Sequence, residues 1–188
     1  MVGDVMGHDV RAATVMSRIS NMFRVIAFDE QEPPSHILRR LDQVLHQLHG
    51  APMATVIVAR MEPASGAGRR LHWASAGHLP PLLAVPDRPA RYLDDDVGPP
   101  LGVDPDAHRP DHRHDLPAGA TVLLHTDGLV ERRDQPLNHG MDHAAAIATA
   151  YAGSPLPELC DALLANRDGN FEDDVALLAA RPPGGQTV

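Results

Sequence analysis

Apolar positions recur at two different spacings along the chain, and the spacing changes near residue 53. Before that point they fall three or four residues apart, which places them on one face of a helix. In the stretch 10–28 these positions are Ala13, Met16, Ile19, Phe23 and Ile26. In the stretch after Pro33 and Pro34 they are Ile37, Leu41, Val44 and Leu48. The pattern predicts two helices, the second with Ser35 as its N-cap and Gly50 as its end.

Beyond residue 53 the apolar residues come in short runs bounded by proline or glycine, which is typical of strands. The predicted strands are 53–60, 71–76, 82–85, 91–93, 120–126 and 174–180. Two further helices are predicted at 139–151 and 156–166. The rest of 86–119 is rich in Asp, Pro, Gly and His and is expected to be loop. This order of elements predicts one mixed α and β layered domain.

The amino-acid composition excludes several classes of protein. The chain has 188 residues and a formal net charge of −9, and all 16 of its basic residues are arginine. The lack of lysine excludes a Walker P-loop, a kinase-type strand lysine and Schiff-base chemistry. The acidic balance, together with only one Trp, two Tyr and three Phe, argues against nucleic-acid binding.

The sequence also bears on the compartment. A single cysteine, Cys160, cannot form an internal disulfide, which fits a reducing compartment. No apolar stretch approaches the roughly 18 residues that a membrane span requires. Asp4 and Asp9 stand where a signal peptide needs an apolar core. We expect a soluble cytoplasmic protein without a membrane or nucleic-acid partner.

Three aspartates stand next to the predicted strands. Asp4 lies in GDVMGHD, Asp127 directly follows the strand 120–126, and Asp173 immediately precedes the residues 174–180. Strand ends often carry functional groups, and carboxylates without thiolates favour Mg²⁺ or Mn²⁺. Aspartates of this kind also cap turns. The spacing alone leaves both interpretations open.

Six short motifs occur in the order seen in one protein family. They are GDVMGHD with the following AA and Met16, AGHLPPLL (76–83), PLGV (100–103), LPAG (116–119), TDGLVE (126–131) and DDVALL (173–178). From Gly3 to Arg181 the chain resembles the PPM-type, metal-dependent serine/threonine protein phosphatases of the SpoIIE/RsbU branch. The resemblance implies an α+β fold, a layered α-β-β-α sandwich of two antiparallel sheets flanked by helix pairs. It also implies a domain at 1–181 and a flexible tail at 182–188.

The resemblance implies a two-metal centre of Mg²⁺ or Mn²⁺. Asp4 would bridge both ions, the carbonyl of Val5 would bind the second, and Asp127 and Asp173 would complete the first. Three further residues would lie around these ligands: His8, Gly128 and Asp174. Water made acidic by the cations would attack a phosphoserine or phosphothreonine in line, without a covalent enzyme intermediate. The implied substrate is a phosphorylated anti-sigma-factor antagonist protein.

The sequence departs from the family pattern at its start. Family members carry an acidic motif of the type GGDxYD on a strand before GDV, and it supplies groups to the second metal. Here only two residues precede Gly3, so we expect a domain that lacks its first strands and a second metal that binds weakly. In addition, Asp9 occupies a position where the family usually has glycine.

Several alternatives remain open on the sequence alone. The chain could be a pseudophosphatase that binds the antagonist without catalysis, or a metal-independent scaffold whose aspartates cap turns. The first helix pair could form a dimer or regulatory surface, although burial against a sheet is favoured. His112 and His114 in DHRHD suggest zinc, but a solvated loop is favoured, as it is for Asp94–Asp96. Cys160 and His125 are expected to pack in the interior.

Overall fold

The computed structural model describes most of the chain as two compact units. The described residues are 1–7, 10–30, 32–47, 53–65, 68–132, 135–165 and 174–183. The first unit comprises Met1–Glu62, Leu71–His78 and Asp95–His114. The second comprises Pro63–Arg70, Leu79–Asp94 and Asp115–Val188. Among the helices in these ranges, none has the length and apolar character needed to cross a bilayer.

The described residues form eight strands, four α-helices and one 3₁₀ turn. In chain order they are β1 (Val2–Val5), α1 (Val10–Glu30), α2 (Pro34–Gln47), β2 (Ala54–Pro63), β3 (Arg69–Ala76), β4 (Leu82–Ala84), β5 (Arg91–Tyr92), β6 (His112–Leu116), β7 (Thr121–His125), the 3₁₀ turn Asp127–Leu129, α3 (Leu137–Ala150), α4 (Leu156–Ala165) and β8 (Leu177–Ala180). One sheet has the strand order β1-β2-β3-β6 and the other β5-β4-β7-β8. The predicted mixture of helices with two sheets is confirmed. The predicted end of α2 at Gly50 lies outside the described residues.

The first unit has its own hydrophobic core, to which α1, α2 and the first sheet contribute. Helix α1 packs against α2 and β1 through Ile19, which is fully buried, while the predicted core residue Ala13 is exposed. The buried face of α2 holds Ile37, Leu38, Leu41 and Leu45. Val44, predicted to face the core, is only half-buried, because the buried face is turned so that Asp42 points inward.

Helix α2 begins differently from the prediction. Its first residue is Pro34, which suits this position because proline lacks the N–H that a helix start leaves unpaired. Ser35 is therefore inside the helix, and both its backbone N–H and its hydroxyl donate to the carboxylate of Asp111. His72 lies between Asp111 and Glu62, 3.1 Å from the former and 2.8 Å from the latter. A carboxylate 76 residues away thus takes the place of a local cap.

A buried ion pair joins α2 to the segment that carries the PLGV motif. The side chain of Asp42 is fully buried, and one of its oxygens lies 2.6 Å from Nη2 of Arg109, which is equally buried. The other oxygen accepts the N–H of Gly102 at 2.8 Å. Arg109 also donates to the carbonyls of Pro99 and Pro100. The pair fixes residues 99–102 against the helix.

The second unit is built around the sheet β5-β4-β7-β8. Strand β4 pairs antiparallel with β5 and β7, and β7 pairs antiparallel with β8. Helices α3 and α4 pack on each other, α3 against β4 and α4 against β8. Arg181, just after β8, donates to the hydroxyl of Thr121 and to the carbonyls of Ala152 and Ser154. It thereby joins the end of the last strand to the turn between α3 and α4.

Residues 112–116 were expected to be loop, and this prediction is wrong. They form β6, in which exposed and less exposed side chains alternate. The ring of His112 packs against buried Trp73 at 4.6 Å between centroids, and its Nε2 bonds the carbonyl of Asp96 at 2.7 Å. The polar composition of this strand conceals it in the sequence, whereas the exposed Asp94–Asp96 fit the predicted solvated loop.

We expect Gly140→Ala to destabilise the protein by about 2 kcal/mol, because overpacking of a tight contact usually costs this much. Gly140 lies in the first turn of α3, and a Cβ there would lie 1.8 Å from the carbonyl oxygen of Val130. An ordinary helical glycine would instead gain stability on the same change. Thermal unfolding followed by circular dichroism measures the effect. Gly153→Ala, which meets nothing within 4 Å, is the control and should change little. Equal melting temperatures for the two variants would contradict this packing.

Candidate active site

Asp4 and Val5 lie on β1 in the first unit. In the antiparallel pairing of β1 with β2, Asp4 stands opposite Thr55 and Val5 opposite Ala54. One carboxylate oxygen of Asp4 accepts the N–H of Val5 at 2.8 Å. Gly7 follows with a φ of 103°, a conformation that glycine adopts without strain. His8 and Asp9 lie outside the described residues.

The AGH motif holds the strand opposite Asp4. The hydroxyl of Thr55 lies 3.0 Å from Nδ1 of His78, which is buried. The backbone of His78 is fixed by Ser75, whose hydroxyl accepts the N–H of His78 and donates to its carbonyl. Opposite residues on paired strands present their side chains on the same face of the sheet. His78 is therefore hydrogen-bonded to Thr55, the residue of β2 that stands opposite Asp4.

The segment 98–101, which includes the start of the PLGV motif, pairs with the start of β2 and the end of β3. Leu101 and Ala54 exchange both backbone hydrogen bonds, and Gly77 donates its N–H to the carbonyl of Gly98 at 2.8 Å. Gly77 has a φ of 69°, and a Cβ there would lie 2.6 Å from Pro100. Leu101 thus holds the backbone of Ala54, which stands opposite Val5 in the β1–β2 pairing.

Asp127 lies in the second unit, directly after Thr126 and the end of β7. It starts the 3₁₀ turn, and its carbonyl accepts the N–H groups of Val130 and Glu131 at 2.7 and 2.6 Å. Gly128 is buried within the turn. Oδ1 of Asp127 is buried as well, and among the described residues no donor lies within hydrogen-bond distance of it.

The chemistry of Asp127 fits a divalent cation. A buried carboxylate oxygen without a donor costs free energy, so such atoms usually have a partner. A hard cation such as Mg²⁺ or Mn²⁺ takes carboxylate oxygens as ligands and would satisfy this one. The described residues contain no group of three His, Cys, Asp or Glu side chains placed to hold a metal. Asp173, one of the predicted ligands, is outside those residues.

Asp174 is brought close to the Asp127 turn by Thr126. The Thr126 hydroxyl donates to the carbonyl of Asp174 at 3.2 Å and accepts the N–H of Ala176 at 2.9 Å. The Thr126 N–H donates to the carbonyl of Ala176 at 3.0 Å. The structure therefore brings together the segments that carry Asp127 and Asp174. The hydroxyl contacts of Thr126 were not foreseen.

His125 packs in the interior, as predicted, and forms a hydrogen-bonded pair with Tyr92. Its Nδ1 lies 2.9 Å from the Thr126 carbonyl, which can only accept, so Nδ1 carries the proton. In the neutral ring Nε2 then accepts the hydroxyl of Tyr92 at 2.9 Å. Burial lowers the pKa of His125, although the Thr126 carbonyl and the charge of Asp127 act in the opposite direction. Burial, with a smaller contribution from Asp142, raises the pKa of Tyr92.

We expect the free energy of unfolding to fall as pH rises above about 10, the ordinary pKa of a tyrosine. The Tyr92 phenol ionises more readily in the unfolded chain than in the fold, so alkaline pH favours unfolding by up to ~1.4 kcal/mol per pH unit. Tyr92→Phe should reduce this slope. Urea unfolding at several alkaline pH values measures it, and the lack of lysine leaves few other groups that titrate there. An unchanged slope in the variant would show that Tyr92 ionises equally in both states.

One family description matches nearly the whole chain: the model of Stage II sporulation protein E (SpoIIE) matches residues 1–183. The structure of the RsbU and RsbW domains of Rv1364c from Mycobacterium tuberculosis is 35% identical, with a TM-score of 0.82 over 94% of this chain and 49% of that one.

Two more distant structures share the fold. The PP2C phosphatase domain of SpoIIE from Bacillus subtilis, with a fragment of its regulatory domain, is 16% identical, with a TM-score of 0.72 over 95% of this chain and 52% of that one. RsbX in complex with magnesium is also 16% identical, with a TM-score of 0.61 over 94% of this chain and 77% of that one. The chain spans about half the length of the mycobacterial and SpoIIE structures.

Proposed function

Because the chain belongs to the SpoIIE family, we propose that it hydrolyses phosphoserine or phosphothreonine on a regulatory protein with the help of divalent cations. The match over residues 1–183 supports the family's reaction class. The main structural support for a cation is the buried Oδ1 of Asp127, which has no donor among the described residues. A carboxylate left in this state is well suited to a cation.

The proposed cation ligands are Asp4 and the carbonyl of Val5 on β1, together with Asp127 and Asp173. Asp4 is supported by the β1–β2 pairing, and Asp127 by the turn that follows β7. His8, Gly128 and Asp174 would lie around these ligands. All three carboxylates are hard oxygen donors, which favours Mg²⁺ or Mn²⁺ over softer metals.

The cations and the residues of the chain would make different contributions to the reaction. Bound cations of this kind acidify water and neutralise charge on a transferring phosphoryl group. The residues of the chain would hold the ligands in place. Thr55, which is hydrogen-bonded to His78, stands opposite Asp4 on the paired strand. Thr126 precedes Asp127 and is hydrogen-bonded to the segment before β8. Catalysis of phosphoryl transfer comes from positioning together with electrostatic stabilisation.

The proposed substrate is a phosphorylated anti-sigma-factor antagonist in the cytoplasm. The family match supports this, as does the mycobacterial relative, which carries RsbU and RsbW domains in one chain. A lone cysteine, Cys160, fits a reducing compartment.

The test is hydrolysis of p-nitrophenyl phosphate and of a phosphoserine peptide by the purified chain, with Mn²⁺, with Mg²⁺ and with EDTA. We expect turnover that requires the cation and is abolished by the chelator. Asp127→Asn protein, purified in the same way, controls for contaminating phosphatase. Turnover that persists in EDTA would contradict the proposed mechanism. Absence of turnover from a folded protein would favour a binding module that docks the antagonist without catalysis.

A further inference from the structure

Thr126 connects two segments that are about 50 residues apart in sequence. Its hydroxyl makes one donated and one accepted hydrogen bond, to the carbonyl of Asp174 and from the N–H of Ala176. The donor and an acceptor site of this hydroxyl are thus both used. With the backbone bond from Thr126 to the Ala176 carbonyl, three hydrogen bonds from one residue hold the segment just before β8.

The position of Thr126 makes these contacts unusual. It is the N-cap of the 3₁₀ turn that begins at Asp127, and a threonine there ordinarily accepts an N–H from the turn. In this structure the Thr126 hydroxyl makes no capping bond. It bonds instead to Asp174 and Ala176 in the segment just before β8, so its role is to join the two segments.

The Asp127 carboxylate depends on this arrangement. No described donor holds its Oδ1, so the direction of the side chain follows from the backbone at residue 127. That backbone is fixed on one side by the turn, through the bonds to Val130 and Glu131, and on the other by Thr126. The same threonine fixes the carbonyl of Asp174, the residue after Asp173.

We propose that Thr126 is a positioning residue for the cation site, which holds the Asp127 turn and the segment Asp174–Ala176 in register through its hydroxyl. The inference rests on the proposed function, because it assumes that Asp127 and Asp173 bind the same cation. Groups that orient metal ligands without touching the metal typically change affinity by 10–100-fold when removed.

The test is Mn²⁺ affinity, measured by isothermal titration calorimetry, in wild type, Thr126→Val and Thr126→Ser. Valine keeps the shape and removes the hydroxyl, and we expect it to weaken binding by roughly 10–100-fold. Serine keeps the hydroxyl and should bind close to wild type. Hydrogen exchange at the Ala176 amide should be faster in Thr126→Val and unchanged in Thr126→Ser, with or without metal. If Thr126→Val does not fold, Thr126→Ala and Thr126→Ser form an equivalent pair that differs by the hydroxyl alone.

Thr121→Val is the matched control. Thr121 is a buried threonine at the start of β7, the strand that ends just before Thr126, and lies about 16 Å from it. Its hydroxyl accepts from Arg181. The change should lower the melting temperature and leave Mn²⁺ affinity intact. Equal affinity in Thr126→Val and wild type would overturn the inference and leave the proposed function standing. A folded wild type that binds no Mn²⁺ would overturn the proposed function, and the inference with it.

Discussion

Replacing Asp127 by asparagine is expected to lower Mn²⁺-dependent hydrolysis of a phosphate monoester by roughly a hundredfold or more. The charge that a metal site stabilises in the transition state is worth several kcal/mol, and each 1.36 kcal/mol is a factor of ten in rate. Asparagine keeps the size of the side chain but removes the negative charge that a cation needs. The buried Oδ1, which has no donor among the described residues, belongs to the carboxylate whose charge is lost. Steady-state turnover against Mn²⁺ concentration measures the effect.

Asp87→Asn is the control for this variant. It makes the same chemical change at an exposed turn in the same unit, where the φ of 61° is one that asparagine also tolerates. We expect it to retain wild-type turnover. Without metal, Asp127→Asn should melt at or above the wild-type temperature, because a carboxylate buried without a donor destabilises the fold. A large loss of metal-free stability would indicate instead that Asp127 serves the fold by capping a turn.

Removing the carboxylate of Asp42 is expected to destabilise the protein by about 3–5 kcal/mol, the usual result when one partner of a buried ion pair is lost. Asp42→Ala would leave the buried guanidinium of Arg109 without its counter-charge and the N–H of Gly102 without its acceptor. Residues 99–102 would lose their attachment to α2. Urea unfolding followed by circular dichroism and by the fluorescence of Trp73, which lies in the same unit, measures the change.

Asp115→Ala provides a comparison with an exposed ion pair of the same N···O distance. Asp115 and Arg70 are also 2.6 Å apart, but the Asp115 side chain is 71% exposed whereas that of Asp42 is fully buried. Exposed ion pairs contribute about 0–1 kcal/mol, so this variant should unfold close to wild type. Replacing Asp42 and Arg109 together by apolar residues of similar volume should recover most of the loss. Equal destabilisation by Asp42→Ala and Asp115→Ala would show that burial does not set the strength of the pair.

Most elements could be predicted from the sequence because their apolar residues follow the period of a helix or come in short runs. Helix α3 and strand β7, for example, were predicted to within two residues. Strand β6 was missed because its sequence, HRHDL, has one apolar residue, and its packing comes from the ring of His112 against Trp73. The buried face of α2 was predicted incorrectly, because an aspartate such as Asp42 is ordinarily expected on the exposed face of a helix. The guanidinium of Arg109, 67 residues away, and the N–H of Gly102 compensate the burial of its charge.

The residues of the candidate site also differ in whether the sequence could indicate them. Asp4 and Asp127 could be singled out because they stand at strand ends inside recognisable motifs, and the structure places them on β1 and directly after β7. The third predicted ligand, Asp173, lies outside the described residues. The residues that hold them could not be found, because a hydroxyl leaves no periodic signal. The partners of Thr55 and Thr126 lie 23 and about 50 residues away, so only the fold shows them.

Arg181 has a consequence for how the chain can be shortened. Its guanidinium is the last group of the described chain with recorded hydrogen bonds, and these reach Thr121 and the turn after α3. A carboxypeptidase that trims the chain back to Arg181 would leave those bonds intact, whereas removal of Arg181 itself would release the end of β8. These hydrogen bonds mark Arg181 as the last residue that a shortened protein, made for crystallisation or labelling, should keep.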